Sequence, residues 1–547
     1  MNYSGYFLVY SRNYLLLSGV FIQLTFKKLT MKKLLLFLWL LFPVFCFSQT
    51  PTIIWEKTYG GSQNEELGTI LQTSDGGFLL GGNTESHNGD IQSGNYQSKD
   101  IWIVKIDKDG EIEWEKTYGG TQTENVYQLL QTENGFIVSG DTKSDDGDIK
   151  SGYRGERDIW IFEIDSTGKL IWEKTFGGTK DDVIAALQKT QDGGYLVGSN
   201  TNSSDGDLIY TNKGNLDFWL FKIDSTGNIS WQNIYGGSGR DVLYSICKAN
   251  DEGFILCGHT RSTNGDIKSE NNGDYDIWVL KVNNTGQIIW EKTFGGSKFE
   301  IQRAFKAVKD GYIIGGYTDS NDGDIQSGNR GRNDGWVIKI DNNGRLLLEK
   351  TFGGSGNDDI YSINEDLKGG FILGGATWSN DGDISSGNKG ECDFWILNID
   401  DSGNILWEQS FGGSFIDHTS TILTISENNY LVGGYTISND DDIKSGNHGL
   451  QDIWLINLST SYPSEIEMIE SDFQKSIIYP NPVKDKMYFN ANNIKSVQLY
   501  NLDGRLVLKK ENIENNILTV EGLESGVYMI EIELDSEIVY KKILKIN

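Results

Sequence analysis

"IIWEKTYGGS" (53–62) decides the fold, because it comes back. The chain repeats it as "IEWEKTYGGT" at 112, "LIWEKTFGGT" at 170, "ISWQNIYGGS" at 229, "IIWEKTFGGS" at 288, "LLLEKTFGGS" at 346 and "ILWEQSFGGS" at 405. Its tryptophan falls at 55, 114, 172, 231, 290 and 407, with Leu348 in the sixth copy, at spacings of 58 or 59 residues. A fixed period of this length marks a repeat architecture. Within the first period, strand-like pieces alternate with turns: "LGTILQT", a "SDGG" turn, "FLLGGNT", an acidic loop, "DIWIVKID", a "KDG" turn and "EIEWEKTY". Apolar runs separated by such Gly-containing turns read as hairpins. Four short antiparallel strands per repeat predict a propeller blade, and seven repeats fall within the usual range.

The ends of the array match each other. "IIWEKTY" at 53–59 is a fourth strand without the preceding three, and the last unit, ending "DIWLINL" at 452–458, has three strands without a fourth. Pairing the two predicts a closed ring with no open edge to invite aggregation. A linear stack of the same repeats is the other reading, and it leaves the matching missing pieces unexplained. The expected fold is all-β: a seven-bladed β-propeller over 51–458 closed by its N-terminal strand, a linker at 459–474, and a small C-terminal β-sandwich at 475–547.

Composition agrees. Among 547 residues there are 66 Gly and 5 Pro, and aromatics make up 12%. The glycines have no three-residue period, which excludes collagen, and so many large rings argue against disorder. The net charge is −29, with five basic and no acidic side chains in 1–50 and ten of each in 475–547, so the acidity lies between. Such a middle repels nucleic acid and anionic lipid, and attracts cations or keeps the chain soluble.

"MKKLLLFLWLLFPVFCFSQT" from Met31 has two lysines, an apolar run from Leu34 to Phe47, and Cys46 and Ser48 at −3 and −1 of a cut between Ser48 and Gln49. This is the pattern of a signal peptide over 31–48, with 1–30 an upstream extension and Met31 the start. The 14-residue run is too short to span a bilayer, so the mature chain is expected to be exported without a transmembrane segment. Three cysteines remain, Cys247, Cys257 and Cys392; the first two either face each other across a hairpin or are two small buried thiols.

The pattern W-E-K-T-F-G-G-S-x-x-D … D-G-G-F-x-x-G-G-x-T … D-x-W-x-x-K-I-D resembles the SBBP-type β-propeller repeats of bacterial exported proteins, over residues 53–458. That resemblance implies a fold and no single activity.

Two acidic columns never break. One follows the glycine pair: Glu65, Glu124, Asp182, Asp241, Glu300, Asp358 and Asp417. The other is the acidic loop, with Asp90, Asp148, Asp207, Asp266, Asp324, Asp383 and Asp442, each ten residues before Asp100, Asp158, Asp217, Asp276, Asp334, Asp393 or Asp452. In a propeller these loops emerge on one face, so both columns are expected to crowd the mouth of the central channel. That makes the loop aspartates candidate calcium ligands, calcium being the only cofactor suggested. Against this, ligand position 1 is Asn88 and Asn264 in two copies, and position 5 is Lys150, Lys268 and Lys444 in three. An oxygen-donor loop needs neutral or anionic donors there. The other reading is turn chemistry, with Asp and Asn bonding local amides.

The tryptophans at 55–407 and 102–454 read as packing between blades rather than as sugar platforms. His87, His418 and His448 fall in loops of the first and seventh blades; a three-histidine metal site lacks any HxH or HExxH spacing. No catalytic motif is present. A unique site would break the pattern locally, and no blade is expected to do so strongly.

"YPNPV" (479–483), "LYNLDGRLV" (499–507), "ESGVYMIEI" (524–532) and "YKKILK" (540–545) resemble the type A C-terminal sorting domain of the type IX secretion system of Bacteroidetes. The residues carrying the resemblance are Tyr479, Pro480, Asn481, Pro482, Gly504, Gly526, Tyr528, Lys541 and Lys542. It implies passage across the outer membrane, the secretion machinery as partner, and proteolytic removal with release or surface attachment. The expected protein is a secreted or surface-displayed, non-enzymatic binding or scaffold module, monomeric, with a glycan or protein ligand on the acidic face and no nucleic-acid partner. The alternative is a secreted carbohydrate-active hydrolase or lyase using carboxylates of that face, for which two carboxylates about 5–10 Å apart would be needed.

Overall fold

The alternation of apolar runs and glycine turns becomes four-stranded antiparallel sheets in the computed structural model. It describes residues 14–17, 20–23, 51–94, 98–460, 478–479, 483–489, 494–501, 505–511, 513, 516–523, 526–533 and 538–545. The chain divides into two units, Met1–Ser48 and Gln49–Asn547. In the first, Tyr14–Leu17 pairs with Val20–Gln23 as a hairpin. The proposed cut between Ser48 and Gln49 and the apolar run before it lie outside the described residues, as do most of the linker, Pro480, Asn481, Pro482 and Gly504. No helix of the described residues is long and apolar enough to cross a membrane.

Sheet 1 runs Glu65–Gln72, Phe78–Thr84, Asp100–Ile106 and Ile112–Tyr118, and five further sheets repeat this order. Sheet 7 consists of Asp417–Ser426, Asn429–Thr436, Asp452–Ser459 and, as its fourth strand, Thr52–Tyr59 from the start of the array. Each sheet's first strand touches the first strand of the next, and that of sheet 7 touches that of sheet 1. Leu431, Ile453 and Leu455 of sheet 7 share one core with Leu67, Ile70, Leu80 and Trp102 of sheet 1. Second and third strands are buried along their lengths, which is why they read as unbroken apolar runs, whereas fourth strands alternate and face water.

Seven tryptophans, Trp102 to Trp454, are the largest fully buried side chains. Trp102 Nε1 donates to Glu115 at 2.9 Å, and the loop residue Ser93 donates to the same carboxylate at 2.8 Å. The tryptophan bond recurs on Glu173, Glu291, Glu349, Glu408 and Glu56. The "WEK" glutamate thus ties the acidic loop to the core, and its tryptophan pairs are packing and anchoring groups. In sheet 3 the pair changes together: Gln232 replaces the glutamate and Tyr210 the serine.

In the C-terminal segment, a three-stranded sheet (Ile478–Tyr479, Lys486–Phe489, Ile517–Thr519) and a four-stranded one (Leu506–Glu511, Ser496–Tyr500, Gly526–Glu533, Ile538–Lys545) share a core that includes Met487, Val497, Leu518 and Ile530. Tyr479, Lys541 and Lys542 lie on strands, and Tyr528 is buried in that core.

Candidate functional site

The Glu65 column and the Asp100 column meet at one glycine per repeat, and both are inside the protein. A Cβ built on Gly60 would stand 2.4 Å from Asp452 Oδ1 and 2.7 Å from Glu65 Oε2; on Gly295, 2.5 Å from Asp276 and 2.6 Å from Glu300. Only glycine fits between the two carboxylates. Glu65 and its six counterparts are fully buried, and so are Asp100, Asp158, Asp217, Asp276, Asp334, Asp393 and Asp452. The expectation that the Glu65 column decorates the channel mouth is therefore corrected, whereas the Asp90 column is half-buried and keeps part of its surface in water. The polar loops around the Glu65 column supply so many amides and hydroxyls that its carboxylates are drawn inward. Glu65 accepts from Gly61 N–H at 2.8 Å and Thr84 Oγ1 at 2.6 Å, and Asp358 from Gly354 N–H at 2.8 Å and Ser379 Oγ at 2.7 Å.

The acidic-loop column, Asp90 to Asp442, accepts from the first glycine's N–H at 3.0–3.2 Å in every repeat. Asp207, Asp266, Asp383 and Asp442 also pair with Arg154, Lys213, Arg330 and Lys389. The candidate calcium ligands are thus engaged with amides and cations, and among the described residues no three His, Cys, Asp or Glu are grouped to hold a metal. His87 and His448 are exposed and His418 is drawn into a strand, so the three histidines do not converge. Cys247 pairs in register with Ile255, and Ser245 with Cys257, so the two thiols sit diagonally; all three cysteines are free.

What breaks the sevenfold pattern lies elsewhere. Each first strand carries a β-bulge at its fourth residue, three residues past the buried acid: Gly68, Tyr127, Ala185, Tyr244, Arg303, Tyr361 and Ser420. A bulge re-aims its side chain out of the sheet. No two neighbouring sheets put the same residue there. A second unlike column lies on the second strands: Asn83, Asp141, Asn200, His259, Tyr317, Ala376 and Tyr435.

On sheets 4 to 7 these columns form one cluster. Arg303 lies over the rings of Tyr244 and Tyr361, 5.4 and 5.8 Å from their centroids, and its Nη1 donates to Tyr244 at 3.1 Å. Tyr361 donates to Asp359 at 2.9 Å and meets His418 edge-on at 4.5 Å; Tyr435 stacks parallel to that imidazole, 5.3 Å away. His259 contacts Tyr244 and Tyr275 at 5.4 and 5.0 Å. Burial, with Arg303 nearby, pushes His259 down to about 3 and His418 down to about 4, so both are neutral at physiological pH. Burial pushes Asp359 up to about 6.

A cavity of about 340 Å³ opens here, lined by Glu66 and Gly68 of sheet 1, Arg303, Tyr361, and His418, Thr419, Ser420 and Tyr435 of sheet 7. Three of its lining residues carry a buried polar atom that no protein group satisfies, Nε of Arg303, Nδ1 of His418 and Oγ1 of Thr419, and so do their neighbours in sequence or in the ring cluster, Gln302, Asp359 and His259. Gln302 and Thr419 occupy a strand position that is Leu, Val or Ile in the other five sheets. An unsatisfied buried polar group costs about 1–3 kcal/mol, and native structures keep few of them. A signal for this site existed in the sequence, in the columns that differ between copies rather than in those that agree.

Residues 477–546 match the family of secretion system C-terminal sorting domains. The protein is thereby one that is secreted or held at the cell surface, its tail addressed to the type IX machinery. No curated protein matches the chain. Among solved structures, puromycin hydrolase aligns at a TM-score of 0.41 and 10% identity, over 85% of this chain and 58% of its own. The PQQ-bound aldose sugar dehydrogenase of Streptomyces coelicolor aligns at 0.33 and 8%, over 75% and 98%. An apocarotenoid oxygenase of Synechocystis aligns at 0.35 and 10%, over 66% and 94%. The chain thus spans just over half of the hydrolase, and likenesses this distant carry no argument about its ligand or chemistry.

Proposed function

We propose that the protein is a secreted or surface-displayed seven-bladed β-propeller of the SBBP repeat type, with a C-terminal sorting β-sandwich. Its role is to bind a ligand at the asymmetric cavity on sheets 5, 6, 7 and 1. One observation carries this reading: buried, unsatisfied polar atoms gather around a cavity at positions where the repeats differ. The repeated carboxylates of the Glu65 and Asp100 columns support it by contrast, since they are committed to the frame. A signal peptide at 31–48 and the tail at 475–547 account for delivery, and binding rather than turnover is the work of the mature chain.

Two measurements test the two halves of this reading. Deleting 477–546 in the producing cell is expected to retain the protein inside the cell envelope; undiminished appearance outside it would refute the sorting role. A small-ligand thermal-shift screen on the full chain and on Tyr361→Ala and His418→Ala is expected to yield ligands whose shift these variants abolish. Hits that both variants retain would move the binding site away from this cavity.

A further inference from the structure

The chemistry of the cavity specifies its ligand more narrowly than its position does, provided that the cavity is the binding site. Arg303 makes no ion pair within 4 Å among the described residues; Asp359, which Tyr361 holds, acts on it only through space. The arginines at the loop junctions, Arg154 and Arg330, each face a carboxylate. Arg303 instead spends one N–H on a tyrosine hydroxyl and lies against two ring faces, leaving its Nε without a partner. The donors of a guanidinium lie in one plane, which a planar two-oxygen acceptor, a carboxylate, matches.

The rest of the wall asks for something other than a bare anion. Tyr361 and Tyr435 pack against His418 with broad, weakly polar ring faces, suited to the C–H face of a saturated ring. Thr419, fully buried, and the neutral His418 each keep one polar atom unsatisfied, and Ser420 adds a hydroxyl from the bulge. These groups match ligand hydroxyls. A volume of about 340 Å³ holds one ring of pyranose size rather than a long chain segment.

We propose that the cavity binds a hexuronic acid: its carboxylate on Arg303, its ring against Tyr361 and Tyr435, and its hydroxyls on Thr419, Ser420 and His418. The ligand is either the free sugar acid or the terminal residue of an acidic polysaccharide, and the two present the same chemistry to the site.

Calorimetric titration of the full chain with D-glucuronate, D-galacturonate, D-glucose and acetate tests this. One of the uronates is expected to bind at least ten times more tightly than glucose and than acetate. Arg303→Lys keeps the charge but loses the planar fork, and is expected to weaken uronate binding at least tenfold while leaving glucose unchanged. Ser420→Phe fills the cavity and leaves residue 303 an arginine, so it is expected to abolish binding even if the arginine variant fails to fold. Equal affinity for glucose and uronate, or an Arg303→Lys protein that binds uronate normally, overturns the proposal. So does the absence of uronate binding. In those cases the cavity reading is still judged separately, by whether Tyr361→Ala abolishes the thermal shift of whatever ligand the screen finds. Binding of oligogalacturonate as well as the monomer points to polymer ends, and binding of the monomer alone points to free sugar acid.

Discussion

Sheets 1 and 3 are sewn to their neighbours; sheets 4 to 7 are not sewn at the same place. At one second-strand position Asn83 accepts from Val126 N–H of the next sheet at 3.0 Å, and Asn200 both accepts from Leu243 N–H at 2.6 Å and donates to its carbonyl at 2.9 Å. On sheets 4, 5, 6 and 7 the position holds His259, Tyr317, Ala376 and Tyr435, and His259 and Tyr435 lay their rings against Tyr244 and His418 of their own sheets instead of bonding the next one. The contrast teaches how a symmetric ring acquires a site. The frame is built from columns that agree and satisfy one another, and stability is given up locally where the columns disagree.

The largest expected effect belongs to the frame. Burial, reinforced by the facing carboxylate across each glycine, pushes Asp158, Asp217, Asp276 and Asp393 up to about 7 and Asp334 up to about 6. Their Oδ1 atoms accept no hydrogen bond that would favour the charged form. An acid whose folded pKa is raised binds its proton more tightly folded than unfolded. Its contribution is complete below the unfolded value near 4 and is lost as pH rises towards 7. His259 and His418, pushed down, act in the opposite sense below about 6.5, but they are two against seven, since Asp182 and Asp359 are also pushed up to about 6. Denaturant unfolding is therefore expected to show stability falling between pH 4.5 and 7.5, by about 1 kcal/mol or more for each such pair. A flat or rising profile would mean that these acids do not hold their protons more tightly in the folded chain.

The tryptophans, which the two regions hold differently, rank next. Trp278→Ala removes a fully buried ring and its bond to Glu291, and is expected to cost about 3–5 kcal/mol. Trp378, half-buried beside His418 at 6.2 Å, is expected to cost about 1 kcal/mol when replaced by Ala. Equal losses would erase the distinction between frame and site. Between these lies the seam: Asn200→Ala leaves the Leu243 amide and carbonyl unpaired and is expected to cost about 1–3 kcal/mol.

Much of the frame was legible in the sequence, because its period, its turn dipeptides and its strand alternation are local. The pairing of Thr52–Tyr59 with Asp452–Ser459 was legible as two complementary deficits. The burial of the Glu65 and Asp100 columns was not. Asp and Glu beside Gly-Gly look like surface loops until the donors around them are counted. Those donors are distant in the chain: Thr84 stands 19 residues from Glu65, and Ser379 stands 21 from Asp358. The site was harder still. A β-bulge leaves no mark on composition, and Tyr244, Arg303 and Tyr361 look like drift in a repeat until the ring sets them side by side. His418 reads as a loop histidine and is the second residue of a strand. His259, in "CGHT", stands where other copies read "GGNT" and "GGYT", a change too small to mark a site by itself.

The smallest effect makes the sharpest test of the comparison. Thr419 is fully buried, with an unsatisfied Oγ1, at a position held by aliphatic residues in five copies. Thr419→Val keeps its shape and removes the stranded hydroxyl, so stability is expected to hold or to rise by up to about 1 kcal/mol. The matching change in the frame, Ser438→Ala, takes a donor from Asp417 at 2.9 Å and is expected to cost about 1–2 kcal/mol. Denaturation midpoints of the two variants, measured side by side, decide the matter. If Thr419→Val is the more damaging, its hydroxyl is part of the frame. If it is neutral while ligand binding weakens, the hydroxyl is kept for something outside the protein.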